Sequence, residues 1–138
     1  MITSGMKTSL SAEWATPQRL FDQLDAEFHF TLDPCCTKEN AKCEKYYTAG
    51  QDGLSQSWDG ERVFMNPPYG RQIKAWIKKA YETNATVVCL VPSRTDTAWW
   101  HDYCMKGEVR FIRGRLYFND GDGRAPFPSV IVIFTSQG

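Results

Sequence analysis

The residues of this sequence best equipped for chemistry are Asn66-Pro67-Pro68-Tyr69, which put a side-chain amide, proline-held carbonyls and an aromatic ring into four consecutive positions. Proline fixes φ and extends neither a ladder nor a helix, so the tetrapeptide is a stiff corner. Its oxygen acceptors stand ready before a partner brings N–H groups to them, which is when preorganised dipoles have their largest effect. As plain structure, the same residues form a common rigid turn. The strand pattern before Asn66 and the basic helical pattern after Tyr69 favour the chemical reading.

Other reactive residue types are less well arranged. Cys35, Cys36, Cys43, Cys89 and Cys104 are odd in number and two are adjacent, which suits reduced thiols rather than a disulfide framework. No CxxC spacing occurs, so no metal site is expected. His29 and His101 have no partner at metal or triad spacing and are read as ordinary residues.

The elements that must position the tetrapeptide follow from periodicity. After Thr16-Pro17, apolar residues at Leu20, Phe21, Leu24 and Phe28 predict an amphipathic helix over 19–28. Phe30 to Leu32 is a short strand candidate ending at Asp33-Pro34. Residues 34–60 carry turn formers and predict loops, with a helical turn near Glu39 to Tyr46. Arg62 to Met65 predicts the strand that ends at the tetrapeptide, and Ile73, Trp76, Ile77 and Ala80 repeat at helical spacing behind it. Thr86 to Val91 is a continuous apolar run suited to a strand covered on both faces. A helix over 97–105 with Asp96 as its cap, then strands over 108–112 and 129–134, complete the pattern. Trp99 and Trp100 read as core. The alternation predicts an α/β fold with a mostly parallel sheet, in which Asp33, Asn66 and Pro92 fall at carboxyl ends of strands, where ligands collect.

The 138 residues, 42% hydrophobic and 14% aromatic, suit a single domain over 1–138 with a loose leader at 1–12. No apolar stretch is long enough to span a membrane and the start lacks a secretory signal, so a cytoplasmic location is expected. Net charge is zero but uneven: residues 1–61 hold five Lys or Arg against ten acids, net −5, whereas residues 62–118 hold ten against four, net +6. A phosphate backbone is drawn to the second part. There Arg94 follows a buried strand, and Arg113 and Arg115 flank Gly114 beside Tyr117 and Phe118, an interleaving that suits nucleic acid. Arg71, directly after the tetrapeptide, joins them as a DNA candidate.

Asn66-Pro67-Pro68-Tyr69 resembles motif four of the amino-methyltransferases acting on adenine N6, cytosine N4 or glutamine N5. With Glu13-Trp14-Ala15-Thr16-Pro17, Leu32-Asp33-Pro34-Cys35-Cys36, Asn40-Ala41-Lys42-Cys43, Asp52-Gly53-Leu54, Trp58 and Gly114-Arg115-Leu116-Tyr117-Phe118, the chain is similar over nearly its whole length to the phage-type DNA N-6-adenine methyltransferases. The resemblance implies a Rossmann-like methyltransferase fold, trimmed relative to full-size enzymes, with S-adenosylmethionine as cofactor and DNA as partner. It also implies a bacteriophage setting tied to restriction-modification, and a monomer or weak homodimer with no membrane attachment.

By that resemblance Asn66, Pro67, Pro68 and Tyr69 are catalytic. An exocyclic amine delocalised into its ring attacks a methyl sulfonium poorly until acceptors draw on its N–H bonds. The Asn66 side-chain oxygen takes one N–H, the Pro67 carbonyl takes the other, and Tyr69 stacks on a flipped-out adenine. Thr16-Pro17 is implied at the methionine end of the cofactor, Asp33 and Pro34 beside it, and Asp52 with Leu54 at its adenine. In place of the usual glycine-rich turn after the first strand stands Pro34-Cys35-Cys36. The competing readings are a methyltransferase for cytosine N4 or protein glutamine N5, and a catalytically silent DNA-binding module.

Overall fold

The computed structural model describes residues 15–120 and 123–135. The leader expected over 1–12 and the pair Glu13-Trp14 lie outside them. Four strands, β1 (Arg62–Met65), β2 (Thr86–Pro92), β3 (Glu108–Phe111) and β4 (Ser129–Phe134), form one sheet in the order β1-β2-β4-β3. Strand β2 is buried from Val87 onwards and β4 along its whole length, as interior strands covered on both faces must be.

Strands β1 and β2 run parallel, with Val63 opposite Val87 and Met65 opposite Cys89, and helix α2 (Ile73–Glu82) is the crossover between them. Strand β4 is antiparallel to both β2 and β3. The sheet is therefore mixed, which corrects the expectation of a mostly parallel one. A helical crossover returns the chain so that the next strand starts in parallel, but the connection from β3 to β4 contains no such helix among the described residues, so β4 enters reversed.

Alternation along the strands feeds two apolar layers. Val63, Met65, Val87, Cys89, Val91 and Val132 pack with Ile73, Trp76, Ile77 and Ala80 of α2 and with Trp99 and Trp100. Phe64, Val88, Leu90, Ile131 and Ile133 face the other way, towards Phe21 and Leu24 of helix α1 (Gln18–Phe28) and towards Phe118 and Phe127. On the surface Arg110 of β3 donates two 2.7 Å bonds to the Glu27 carboxylate, holding α1 against that edge of the sheet.

Three local expectations change. The strand expected over 30–32 reduces to a parallel bridge between Leu32 and Val63, followed by one between Asp33 and Tyr46. The helical turn near Glu39 to Tyr46 does not form: the Thr37 N–H donates to the Asn40 side chain at 2.7 Å and the Asn40 N–H to the Thr37 hydroxyl at 3.1 Å, local bonds that compete with helix. The chain instead tightens into two 3-10 turns, Ala49–Gln51 and Gly53–Ser55. The helix expected over 97–105 is broken into α3 (Ala98–Asp102) and a 3-10 turn, Cys104–Lys106, and its cap is Thr97, whose hydroxyl accepts from the Trp100 N–H at 3.3 Å, not Asp96. Among the described residues no helix is long and apolar enough to cross a membrane.

Candidate active site

A cavity of about 480 Å³ opens beyond the end of β1. Its wall is assembled from five places in the sequence: Thr16 at the entry to α1, the segment from Asp33 to Lys42, the turns carrying Asp52 and Leu54, the end of β1 with Asn66 and Pro68, and Gln72 just before α2 with Trp76 within it. Six of the site residues expected from sequence, Thr16, Asp33, Asp52, Leu54, Asn66 and Pro68, meet in this wall. Pro17, Pro34, Pro67 and Tyr69 sit directly beside wall residues in the chain but do not line it, and Pro34 and Pro67 are buried. Arg71, Arg94, Arg113 and Arg115 are exposed outside it, with the Arg94 guanidinium 5.9 Å from the centre of the Phe127 ring. Pro92, expected in the same crevice, does not line it.

The amide of Asn66 is held at both ends. Its nitrogen donates to the Thr16 hydroxyl at 3.1 Å, and its oxygen accepts from the Tyr69 hydroxyl at 3.1 Å. Tyr69 sits edge-on to Phe127, with centroids 5.5 Å apart, and to Phe118 at 6.5 Å, and its hydroxyl also lies 3.4 Å from the Leu90 carbonyl. Burial pushes the phenol well above its ordinary range, so it stays protonated and able to donate. The thiol of Cys35 donates to the main-chain oxygen of Asn66 at 3.3 Å, which ties the Asp33–Cys36 corner to the tetrapeptide.

Asp33 is a buried carboxylate, 4% exposed, that organises the opposite wall. It accepts from the Lys42 N–H at 3.0 Å and the Cys35 N–H at 3.4 Å, while its backbone pairs with Lys45 and Tyr47. Burial raises its pKa from 3.8 to about 6, against the opposing pull of those two N–H groups. A carboxyl whose pKa is higher folded than unfolded stabilises the fold fully below the unfolded value, and that contribution is lost as pH rises through the folded one. Between pH 4 and pH 7 the stability of the native chain relative to Asp33→Asn is therefore expected to fall by roughly 2 kcal/mol, read from urea midpoints at a series of pH values.

The sequence reading passed over several wall residues. Trp76 reads as core from its spacing, yet one face of it borders the cavity while it stacks on Trp58 at 6.0 Å. Gly53 is buried where a Cβ would come within 2.0 Å of the Pro34 carbonyl oxygen, so only glycine fits. Its signal was its place between Asp52 and Leu54. Burial pushes the thiols up, Cys43 and Cys104 to about 12, which keeps them protonated. Among the described residues no group of three or more His, Cys, Asp or Glu is placed to hold a metal.

The profile of the family described as DNA N-6-adenine-methyltransferase (Dam) matches residues 3–134. A protein of Haemophilus phage HP1 named DNA N-6-adenine-methyltransferase is 32% identical over 117 residues, which is 81% of this chain and 67% of that protein. One of the same name from Escherichia phage T1 is 33% identical over 92 residues, 63% of this chain and 38% of that protein. The corner built by Asn66 to Tyr69 and the matches on either side of it lead to one statement: this chain belongs to the DNA N-6-adenine-methyltransferase family.

Proposed function

We propose that the chain methylates the exocyclic N6 amine of adenine in DNA, with S-adenosylmethionine as donor. The observation that carries this reading is the seating of the Asn66 amide in the wall of a single cavity with Thr16, Asp33 and Asp52, in a chain of this family. The cavity volume falls within the range of small-molecule sites. Its donor set fits the cofactor: hydroxyls at Thr16, Thr37 and Thr48, carboxylates at Asp33 and Asp52, and flat apolar surface at Leu54, Phe64 and Trp76. Bound there, S-adenosylmethionine supplies a methyl group activated by its sulfonium.

The work of this chain's own residues is to bind and to orient. Thr16-Pro17 would hold the methionine end, Asp33 with Pro34 would shape the adjoining wall, and Asp52 would accept from the adenine amine of the donor with Leu54 beside that ring. The Asn66 oxygen and the Pro67 carbonyl accept the two N–H groups of the target amine and draw its nitrogen towards tetrahedral geometry. Tyr69 stacks on the extruded base. Phe118 and Phe127, both edge-on to Tyr69, brace its ring for that contact. Arg71, Arg94, Arg113 and Arg115 contact DNA phosphates, in keeping with the net +6 of residues 62–118.

The parallel β1–α2–β2 unit and the Leu32–Val63 bridge support a Rossmann-like sheet, trimmed and closed by one reversed strand. We place the chain in the cytoplasm, that of the host if phage-encoded, as a monomer or weak homodimer. The cytosine-N4, glutamine-N5 and silent-module alternatives are not favoured, because the matched phage relatives carry the adenine-N6 name. The deciding experiment incubates unmethylated DNA with the chain and tritiated S-adenosylmethionine, then separates the nucleosides. Label is expected in N6-methyldeoxyadenosine; label in methylcytosine or in protein overturns the reading.

A further inference from the structure

We propose that the Thr16 hydroxyl is the positioning group for Asn66, fixing the plane of its amide so that the oxygen is held towards the substrate nitrogen. The inference rests on the catalytic reading of Asn66 given above. An asparagine amide is nearly symmetric in shape but opposite in chemistry at its two ends. Its value as an acceptor depends on which atom points at the amine, since an NH2 group turned there offers the target N–H groups no lone pair. The nitrogen end of Asn66 meets the hydroxyl oxygen of Thr16 at 3.1 Å, and Thr16 is itself buried, 3% exposed, so the hydroxyl is held in a packed setting where it meets the amide.

Thr16 is itself held from the far end of the chain. The Ala15 N–H donates to the Asn119 side-chain oxygen at 2.8 Å, and the Asn119 N–H donates to the Ala15 carbonyl at 2.8 Å. Asn119 has φ of 64°, the left-handed region that asparagine tolerates better than most residues. This reciprocal pair fixes the backbone one residue before Thr16, so the hydroxyl meets Asn66 from a braced segment. The Tyr69 hydroxyl on the oxygen end leaves some order when Thr16 is altered, which makes the expected loss partial.

Thr16→Val keeps the volume and removes the acceptor. Two readouts are taken: the side-chain ¹⁵N–¹H pair of Asn66 in the ligand-free protein, assigned by its disappearance in Asn66→Ala, and single-turnover methyl transfer to DNA at saturating S-adenosylmethionine. Thr16→Val is expected to move the Asn66 pair and to slow the single turnover about 10- to 100-fold at saturating donor, over and above the weaker donor binding that follows from the place of Thr16 at the methionine end. Thr16→Ser restores both. Thr16→Ala, which removes the acceptor without a branched side chain, must repeat the changes. The proposal is overturned if the Asn66 pair stays at its wild-type position, or if only donor affinity falls and the saturated rate is intact. A wild-type chain that transfers no methyl group overturns the functional reading instead, and the resonance comparison still decides whether Thr16 places Asn66.

Discussion

Asn66→Ala is expected to reduce methyl transfer to DNA by on the order of a hundred- to a thousand-fold or more, the loss that follows removal of one preorganised polar group aimed at a developing charge. The amide is half-buried rather than enclosed, and the rigid backbone of its corner comes from Pro67 and Pro68, which the substitution leaves in place. Folding stability should therefore change far less than the rate. Two polar groups lose a partner, the Thr16 and Tyr69 hydroxyls, and the second keeps the Leu90 carbonyl within 3.4 Å. The measurement is a single-turnover rate at saturating donor, set beside a thermal melt and a donor titration. A rate within tenfold of wild type would remove Asn66 from the reaction.

Gly53→Ala is expected to have the largest effect on the cavity itself. The added methyl would stand 2.0 Å from the Pro34 carbonyl oxygen and 3.1 Å from the Trp76 ring, one of them backbone and the other pinned in the core. Relief requires the 3-10 turn at Gly53–Ser55 to move away from the Asp33–Cys36 corner, and the Gly53 carbonyl also accepts from the Trp58 indole at 3.0 Å. Overpacking of this kind costs about 1–3 kcal/mol, and the contact here is severe enough to reach or pass the upper end. Donor affinity should fall together with the melting temperature. A variant that melts and binds donor like the wild type would show that this wall is not formed as described.

The fold and the site were legible in different degrees. Strands β1, β2 and β4 and helix α2 could be read because each is a run whose apolar period matches its burial, as in Thr86 to Val91. The direction of β4 could not, since a strand's sequence carries its burial and not the sense in which its neighbours run. Residues 34–60 resisted for another reason: their shape is set by side-chain bonds, such as Asn40 with Thr37 and Asp33 with Lys42, which leave no period. Asn66 was legible as a chemical group because the two prolines after it are rare in combination, and Thr16 and Asp33 because they stand in motifs. The contact between Thr16 and Asn66 spans 50 residues, and nothing local announces it. Tyr69 was expected towards a base, while in the structure its ring rests on Phe118 and Phe127, a contact made by a segment some fifty residues further on.

The bond between Ala15 and Asn119 joins positions 104 residues apart. The elements α1, β1, β2 and β3 all precede in sequence the residue that braces the entry to α1. Closing so wide a loop is slow and comes late in folding. A fragment that stops short of Asn119 therefore lacks both bonds that hold the backbone of Ala15, and the start of α1 in it is left unclamped.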